Sequence, residues 1–393
     1  MNLNLDKTTW KRVRLGDVIC RSRTQADPAN GDVDRYVGGG HIDSDSLTIE
    51  RFGDVNDGQM GSTFTYLFQP GQVLFVSARP YLRKSGVVNF TGVVADKTYV
   101  LDAAPQNGLL QDFLPFILAS DHFITYANAE ASGSMNPRLL WGRMQRYEFD
   151  LPPLAEQQRF ADLLWAIEKH RRSVVSAIAA DLSARDAWLG TSIGSLVDRE
   201  AVPFGLVWAR SPESGWSAAP VDEATGHYVL SLAAIGRFGY RAGQLKNVPD
   251  SAEVRAAKVN QGDLLISRAN TVEAVGRPCI FKEDRSDVSF PDTMMRLHLA
   301  DNVQPAFAEA VLASPHGRKH MKRTAAGSAT SMVKINRQSL SRLMFPTATA
   351  EEQNRFLDKL ARIDEAAELL HSELLVLDIS RGAVLAEIFG GAG

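Results

Sequence analysis

Apolar residues recur every seven positions in two stretches of the chain, and both stretches keep the same register. In the first, Phe160, Ile167 and Val174 form one row, and Leu164, Arg171, Ile178 and Arg185 form the next. Two adjacent rows of this kind are the a/d seam of a coiled coil. In the second, Phe356, Ile363, Leu370, Leu377 and Val384 stand beside Leu360, Ala367, Leu374, Arg381 and Ile388. Phe160 with Phe356, Ile167 with Ile363, Ile178 with Leu374 and Arg185 with Arg381 are separated by one constant offset. A shared register implies a duplicated unit of domain plus long helix. Each helix is expected to run for roughly 35 residues, about 50 Å at about 1.5 Å per residue. A helix that long with an apolar stripe needs a partner to cover it. Duplication supplies matching seams within one polypeptide, so the two helices are expected to pair antiparallel inside the chain. A homodimerising coiled coil or an ordinary bundle core is the plainer alternative. Asp181 stands where the second helix has Leu377, and Arg171 where it has Ala367, so the first helix has the wetter seam.

Elsewhere the pattern changes from period seven to short apolar runs set between turn residues. The sequence WKRVRLGDVIC (10–20) reads as a strand and turn, and residues 21–65 are rich in Gly, Asp and Ser, including Val37-Gly38-Gly39-Gly40. A turn and buried strand at Gly71–Arg79 has its counterpart at Gln261–Asn270, where Ser77 aligns with Ser267 and Gly86 with Gly276. A further strand, Lys97–Leu101, matches Met294–Leu299, and helical stretches follow near 109–127 and 304–322. Each half then has a loop and a short helix, with Asn136-Pro137 and Asn336 as candidate N-caps. Prolines at 152, 153 and 346 end these segments ahead of the long helices. The expected class is α+β: two mixed α/β domains at 1–150 and 198–345, and two long helices at 151–197 and 346–393 in an antiparallel intramolecular coiled coil.

Composition narrows the function classes. The chain has 393 residues, is 45% hydrophobic and carries a net charge of −3. No apolar run approaches the ~18–20 residues of a membrane span, and the start MNLNLDKTTWKRV lacks the order of a signal peptide. The two cysteines, Cys20 and Cys279, make neither a disulfide framework nor a zinc site. A reducing cytoplasm is the expected setting. The net charge is no sign of a nucleic-acid partner, but its distribution is. Between Glu309 and Glu351 there is no acid, while Arg318, Lys319, Lys322, Arg323, Lys334, Arg337 and Arg342 are present. Two further acid-free windows hold only Arg79, Arg83 and Lys84, and only Arg138, Arg143 and Arg146. Local basic patches on a neutral body suit a phosphate-backbone ligand; the plain alternative is a solvated basic face.

Catalytic constellations are missing. Asn136-Pro137-Arg138-Leu139 has a superficial likeness to the Asn-Pro-Pro-aromatic motif of amino-methyltransferases, but positions 138 and 139 are wrong and no Gly-rich cofactor turn precedes it. There is no GxxxxGK[ST] and no HExxH or Cys-His cluster. Ser77 and Ser267 have no base evident nearby in sequence.

The junction LPPLAEQQRF, its echo FPTATAEEQNRF, the Gly-Ser…Asn loops, the phrases PGQVLFVSARP and QGDLLISRAN and the opening WKRVRLGDV together resemble the DNA-specificity subunit of type I restriction–modification systems. The resemblance covers essentially the whole chain; Thr347-Ala348-Thr349 departs from it, standing in place of a proline pair. It implies a non-catalytic protein whose two domains are target-recognition domains, each reading one half of a split, asymmetric double-stranded DNA site. The paired helices would set the spacing. Two methyltransferase subunits would dock on it, restriction–translocase subunits would join in the restricting complex, and S-adenosylmethionine would belong to the methyltransferase, leaving this chain without a cofactor. Two other classes are weighed beside it: a coiled-coil scaffold that never touches DNA, and a self-contained DNA-modifying enzyme.

What the residues offer is binding chemistry, since Arg forks to guanine, Asn or Gln to adenine, and Lys or Ser to phosphate. The candidates in the first domain are Ser77, Arg79, Arg83, Lys84, Ser134, Asn136 and Arg138. In the second they are Ser267, Arg268, Asn270, Arg277, Ser328, Thr330, Ser331, Lys334 and Asn336.

Overall fold

The computed structural model describes residues 5–327 and 332–390. The chain divides into two compact units, one made of residues 1–176 and 371–393, the other of residues 177–370. Each unit therefore holds one mixed domain and one part of each long helix.

In the first unit the outermost strands of the domain, Lys11–Arg14 and Glu148–Leu151, pair antiparallel and bring its two ends together. Between them lie a five-stranded sheet, in the order Ile19–Ser22, Thr98–Ala103, Val73–Val76, Ser85–Val88 and Thr48–Ile49, and a four-stranded sheet, in the order Gly53–Asp54, Arg35–Val37, Gly92–Ala95 and Phe64–Phe68. The second unit repeats the plan. Ala201–Pro203 pairs with Met344–Pro346, and the central sheet runs Trp208–Ser214, Met294–Leu299, Leu264–Ser267 and Pro278–Ile280. A parallel pair recurs in both copies, Arg35–Val37 with Gly92–Ala95 and Tyr228–Leu230 with Val288–Ser289, and the first adds Thr48–Ile49 with Ser85–Val88. Gly71 and Gly262 both have φ of +88°, a left-handed turn that delivers the chain into the buried strand that follows.

The long helices are Leu154–Arg199, of 46 residues, and Ala350–Phe389, of 40 residues, both longer than the heptads alone suggest. The extra turns are explained by what their ends cover. Phe160 and Leu164 lie in the core of the first domain together with Val384, Leu385, Ile388 and Phe389. Phe356 and Leu360 lie in the core of the second domain with Leu189 and Ile193. Val174 is buried, while Ile167, Ile178, Ile363, Leu370, Leu374 and Leu377 are half-buried.

Within each unit the helices run antiparallel, and polar pairs mark the register. In the first unit Arg171 donates to Asp378 at 2.6 Å, and Arg381 donates to Glu168 at 3.0 Å and to the carbonyl of Asp45. In the second, Arg185 donates to Asp364 at 2.5 Å, and the exposed Arg199 pairs with Glu352. The first helix is the wetter partner here too: the Asp181 carboxylate has a buried oxygen without a partner among the described residues. Glu168 is only 1% exposed. Burial, opposed by Arg381 and Arg171, holds its carboxyl above the usual carboxylate value.

Asn136 does not cap a helix. The short helix after it is Trp141–Met144, with Leu140 at the N-cap and no side-chain cap bond. Residues 132–138 instead close on themselves, Ser132 bonding to Arg138 in both directions, so the Asn-Pro pair is consumed by a loop. Asn336 does cap Arg337–Ser341, with a reciprocal bond from Ser339.

Removing Arg381 as Arg381→Ala leaves Glu168 buried and unpaired, and the expected loss is about 3–5 kcal/mol in urea unfolding. A carboxyl whose folded-state pKa is raised contributes stability below its unfolded pKa and loses it as pH rises through the folded value. The deficit of Arg381→Ala is therefore expected to shrink as the pH is lowered from 7 towards 5.

Candidate nucleic-acid interface

The strand Val73–Val76 of the first unit runs out into Ser77, Ala78 and Arg79, then into a single 3-10 turn at Pro80–Leu82. Arg79 and Arg83, on either side of that turn, both take the left-handed backbone conformation, with φ of 52° and 53°. A non-glycine residue there costs about 1–2 kcal/mol, so other bonds must hold it. The amide of Arg79 donates to the carbonyl of Pro137 at 2.6 Å, and that of Asp45 to the carbonyl of Arg83. Arg83 ties down the far end by pairing with Asp45 and Asp121 and donating to the carbonyl of Ala119.

The pinned loop forms one wall of a cleft of about 510 Å³. Its lining includes Gly38, Gly39, Gly40, Phe64, Arg79, Lys84, Lys97, Asn136 and Arg138. Arg79 is exposed; its Nε donates to Oδ1 of Asn136 at 2.8 Å, and its two terminal nitrogens have no partner among the described residues. Lys84 donates to the carbonyl of Gly39. Lys97 is exposed, with no partner for its ammonium among the described residues. A concave surface lined by one sign of charge focuses the field on an incoming anion.

The candidate residues thus separate into two kinds. Arg79, Lys84 and Asn136 meet at the cleft, with Ser134 exposed on the adjoining loop. Ser77, Arg83 and Arg138 are held by the protein itself. Ser77 has no exposed surface; it donates to the carbonyl of Lys97 at 2.7 Å and accepts from Arg138. Arg138 also binds both the carboxylate and the carbonyl of Asp96, so its guanidinium is spoken for although it lines the cleft. Lys97, Phe64 and the Gly38–Gly40 run were not among the candidates. Lys97 opens an expected strand directly after Asp96, just outside the acid-free window that marks the other cations, whereas the three consecutive glycines are a visible signal of close backbone approach.

The second unit places the matching segment in the same way. Ser267 is fully buried and accepts from Nδ2 of Asn270 at 3.2 Å. Ala269–Asn270 pairs with Val333–Lys334, which sets Lys334 beside Ala269, and the amide of Ile335 donates to the carbonyl of Arg268. Arg268 is half-buried and donates to the carbonyl of Asp292, while Lys334 is exposed. Asn336 is engaged as the cap. Arg277 faces a different cleft. Ser328, Thr330 and Ser331 lie outside the described residues. Among the described residues, no group of three His, Cys, Asp or Glu side chains is placed to hold a metal ion, and no helix is long and apolar enough to cross a membrane.

Residues 7–175 match the type I restriction modification DNA specificity domain. The chain is 28% identical over 153 residues to the specificity subunit of the type I restriction enzyme EcoEI of Escherichia coli, a stretch covering 35% of this chain and 25% of that one. It is 25% identical over 264 residues to the EcoKI specificity subunit of Escherichia coli strain K12, covering 61% and 56% of the two chains. The matched stretches thus span a quarter and just over half of those relatives. The fold is similar to that of a chain from a type I restriction–modification system solved to explain its complex assembly and conformational transition (TM-score 0.60, 19% identity, 98% of each chain covered). It is also similar to the type I S subunit of M. genitalium (TM-score 0.52, 12% identity, 100% and 98% covered).

Two substitutions separate the pinned arginine from the free one. Arg138→Ala strips partners from Ser77 and Asp96 and is expected to cost about 1–3 kcal/mol. Arg79→Gly relieves a left-handed backbone and is expected to leave stability unchanged or raise it by up to about 1 kcal/mol. Urea denaturation of the two variants beside the parent chain measures both.

Proposed function

We propose, from the match of residues 7–175 to the type I restriction modification DNA specificity domain, that the chain is the non-catalytic, sequence-reading subunit of such a complex. The observation that carries this reading is the repetition of one loop in two diverged copies. In each, a buried serine ends a central strand, an arginine follows, and a second loop brings a polar side chain alongside, Asn136 in one and Lys334 in the other. One scaffold with two different readouts suits a bipartite and asymmetric double-stranded DNA target. In the first unit Arg79, oriented by Asn136 and with both terminal nitrogens free, is the base reader, since that edge of the guanidinium matches guanine O6 and N7. Lys97 and Lys84 take phosphates.

The long helices act as the spacer between half-sites and as the platform for two methyltransferase subunits, with restriction–translocase subunits added in a restricting complex. Leu375, Val376 and Ile379 support the platform: each is about 60% exposed on the distal helix, a stripe of apolar surface that a soluble helix rarely leaves open. S-adenosylmethionine belongs to the methyltransferase, and the complex works in the cytoplasm.

Sequencing of modified sites in a host carrying the chain with its methyltransferase names the target, and duplexes bearing it then test the cleft. Arg79→Ala is expected to relax one position of the first half-site by about 1–3 kcal/mol. Lys97→Ala is expected to weaken all sequences alike and reduce the salt slope by about one unit. Affinity unchanged in both variants would place the DNA face elsewhere, and absence of any salt-dependent DNA binding would favour the scaffold. The spacer has its own test. Four residues inserted near Leu182 add about one turn, roughly 6 Å, against about 3.4 Å per base pair. The modified sites are expected to keep their half-site sequences and to gain about one or two base pairs between them; an active variant with an unchanged gap would overturn the spacer role.

A further inference from the structure

The second unit holds a cleft of about 400 Å³ whose lining side chains include five cations and only two carboxylates. Three of the cations already have acidic partners: Arg185 with Asp364, Arg237 with Asp186, and Lys322 with Glu273. The other two do not. Arg318 donates one terminal nitrogen to the carbonyls of Val275, at 2.7 Å, and Glu273, at 3.3 Å. Its other terminal nitrogen, Nη1, is buried and has no partner among the described residues. Burial, reinforced by repulsion from Arg277, pushes its pKa down to about 10. Arg277 has no side-chain partner among the described residues and lines the same cleft. Two arginines that repel each other, one with an orphaned buried N–H, are a pair that an anion placed between them would satisfy.

The first unit supplies an internal control. Ser120 caps the helix Asp121–Glu130 just as Ser314 caps Pro315–Thr324, each accepting from the amide three residues on. Beside that turn the first unit has a cleft of about 410 Å³, to which Arg381 contributes at the heptad position that Arg185 occupies in the second. There the three arginines, Arg83, Arg171 and Arg381, face three aspartates, Asp45, Asp121 and Asp378. All three are paired: Arg83 with Asp45 and Asp121, Arg171 with Asp378, and Arg381 with Glu168. In the second unit the residue after the cap serine is Pro315 where the first has Asp121. The carboxylates that close one cleft are missing from the other.

We infer that the cleft of the second unit is an oxyanion site for a phosphate group, bound by Arg318 and Arg277 with Arg237 at its edge. Phosphate fits better than a single carboxylate, because the lining has three more cations than acids and planar guanidinium groups pair with tetrahedral oxyanions through two parallel bonds. The phosphate has two sources, a free phosphorylated small molecule or the backbone of bound DNA, and the same chemistry recognises both.

The test uses the full-length chain, with inorganic pyrophosphate as the probe against sodium chloride at matched ionic strength. Pyrophosphate is expected to raise the melting temperature saturably, and Arg318→Gln is expected to weaken that response at least tenfold. Arg237→Gln, whose side chain is 56% exposed and so removable without disturbing the core, is the second variant and is expected to weaken it several-fold. A parallel titration with duplex DNA tells the sources apart. If the phosphate is the duplex's own, Arg237→Gln lowers the salt slope of DNA binding by about one unit and pyrophosphate competes with the duplex. If it is a free ligand, duplex affinity is indifferent to both. The assignment is overturned if pyrophosphate does no more than chloride while the DNA salt slope of Arg237→Gln is unchanged, or if the parent and both variants respond to pyrophosphate alike.

Discussion

A single buried amide at each helix start holds the architecture. Gln157 has no exposed surface, yet its side chain is satisfied: Oε1 accepts from the amide of Leu110, and Nε2 donates to the carbonyls of Gly108 and Pro152. Gln353 makes the same three bonds in the second unit, to the amide of Gln304 and the carbonyls of Asn302 and Ala348. A buried amide left unpaired costs more than the bond gains, so the first turn of each long helix can sit against its domain in one orientation only. The strand pairs Lys11–Arg14 with Glu148–Leu151 and Ala201–Pro203 with Met344–Pro346 bring the chain to the same point. This gives the shared Glu-Gln of AEQQRF and EEQNRF a physical meaning: the glutamine is the bolt between domain and helix.

The seam of the two helices works by a different rule. Its apolar ends are absorbed into the domain cores, and between them lie charged pairs such as Glu168 with Arg381 and Arg185 with Asp364. Such pairs add little net stability over a hydrophobic alternative, because desolvation offsets most of the attraction. Their use is in register. Sliding either helix by one turn would leave a buried charge unmatched, so the polar layers exclude the neighbouring alignments that a uniform leucine seam would tolerate.

Duplication followed by divergence explains how one scaffold carries different chemistry. The bolts, caps and closing strands recur almost residue for residue, while the loops that face outward do not. The same turn that neutralises itself with Asp121 in one copy leaves a cationic cleft behind Pro315 in the other. Strain follows the same division. Arg79 and Arg83 sit in left-handed conformations only because the bonds to Pro137, Asp45, Asp121 and Ala119 over-determine them, and the result is an exposed Arg79 whose backbone is fixed by the fold itself.

How far this could be read from the chain alone depends on the range of the interaction. The heptads, the duplication, the class of each domain and the Gly71 and Gly262 turns were legible, because periodicity and backbone permissiveness are written within a few neighbouring residues. So was the cap at Asn336. The loop at Asn136-Pro137 carries the same local signal and was misread, since the bonds of Ser132 and Arg138 to each other and of Arg79 to Pro137 outcompete a helix start. Arg79, Arg83 and Arg138 look alike in their acid-free windows. Only the folded chain brings Asp45 and Asp121 to one and Asp96 to another, leaving the third free. Two of the three partners of Gln157, Leu110 and Gly108, lie more than forty residues away for the same reason. Local pattern determined the elements and their repetition. Which charges are used up inside the protein, and which are left facing outward, was decided by tertiary contacts, because pairing depends on distances that only the folded backbone sets.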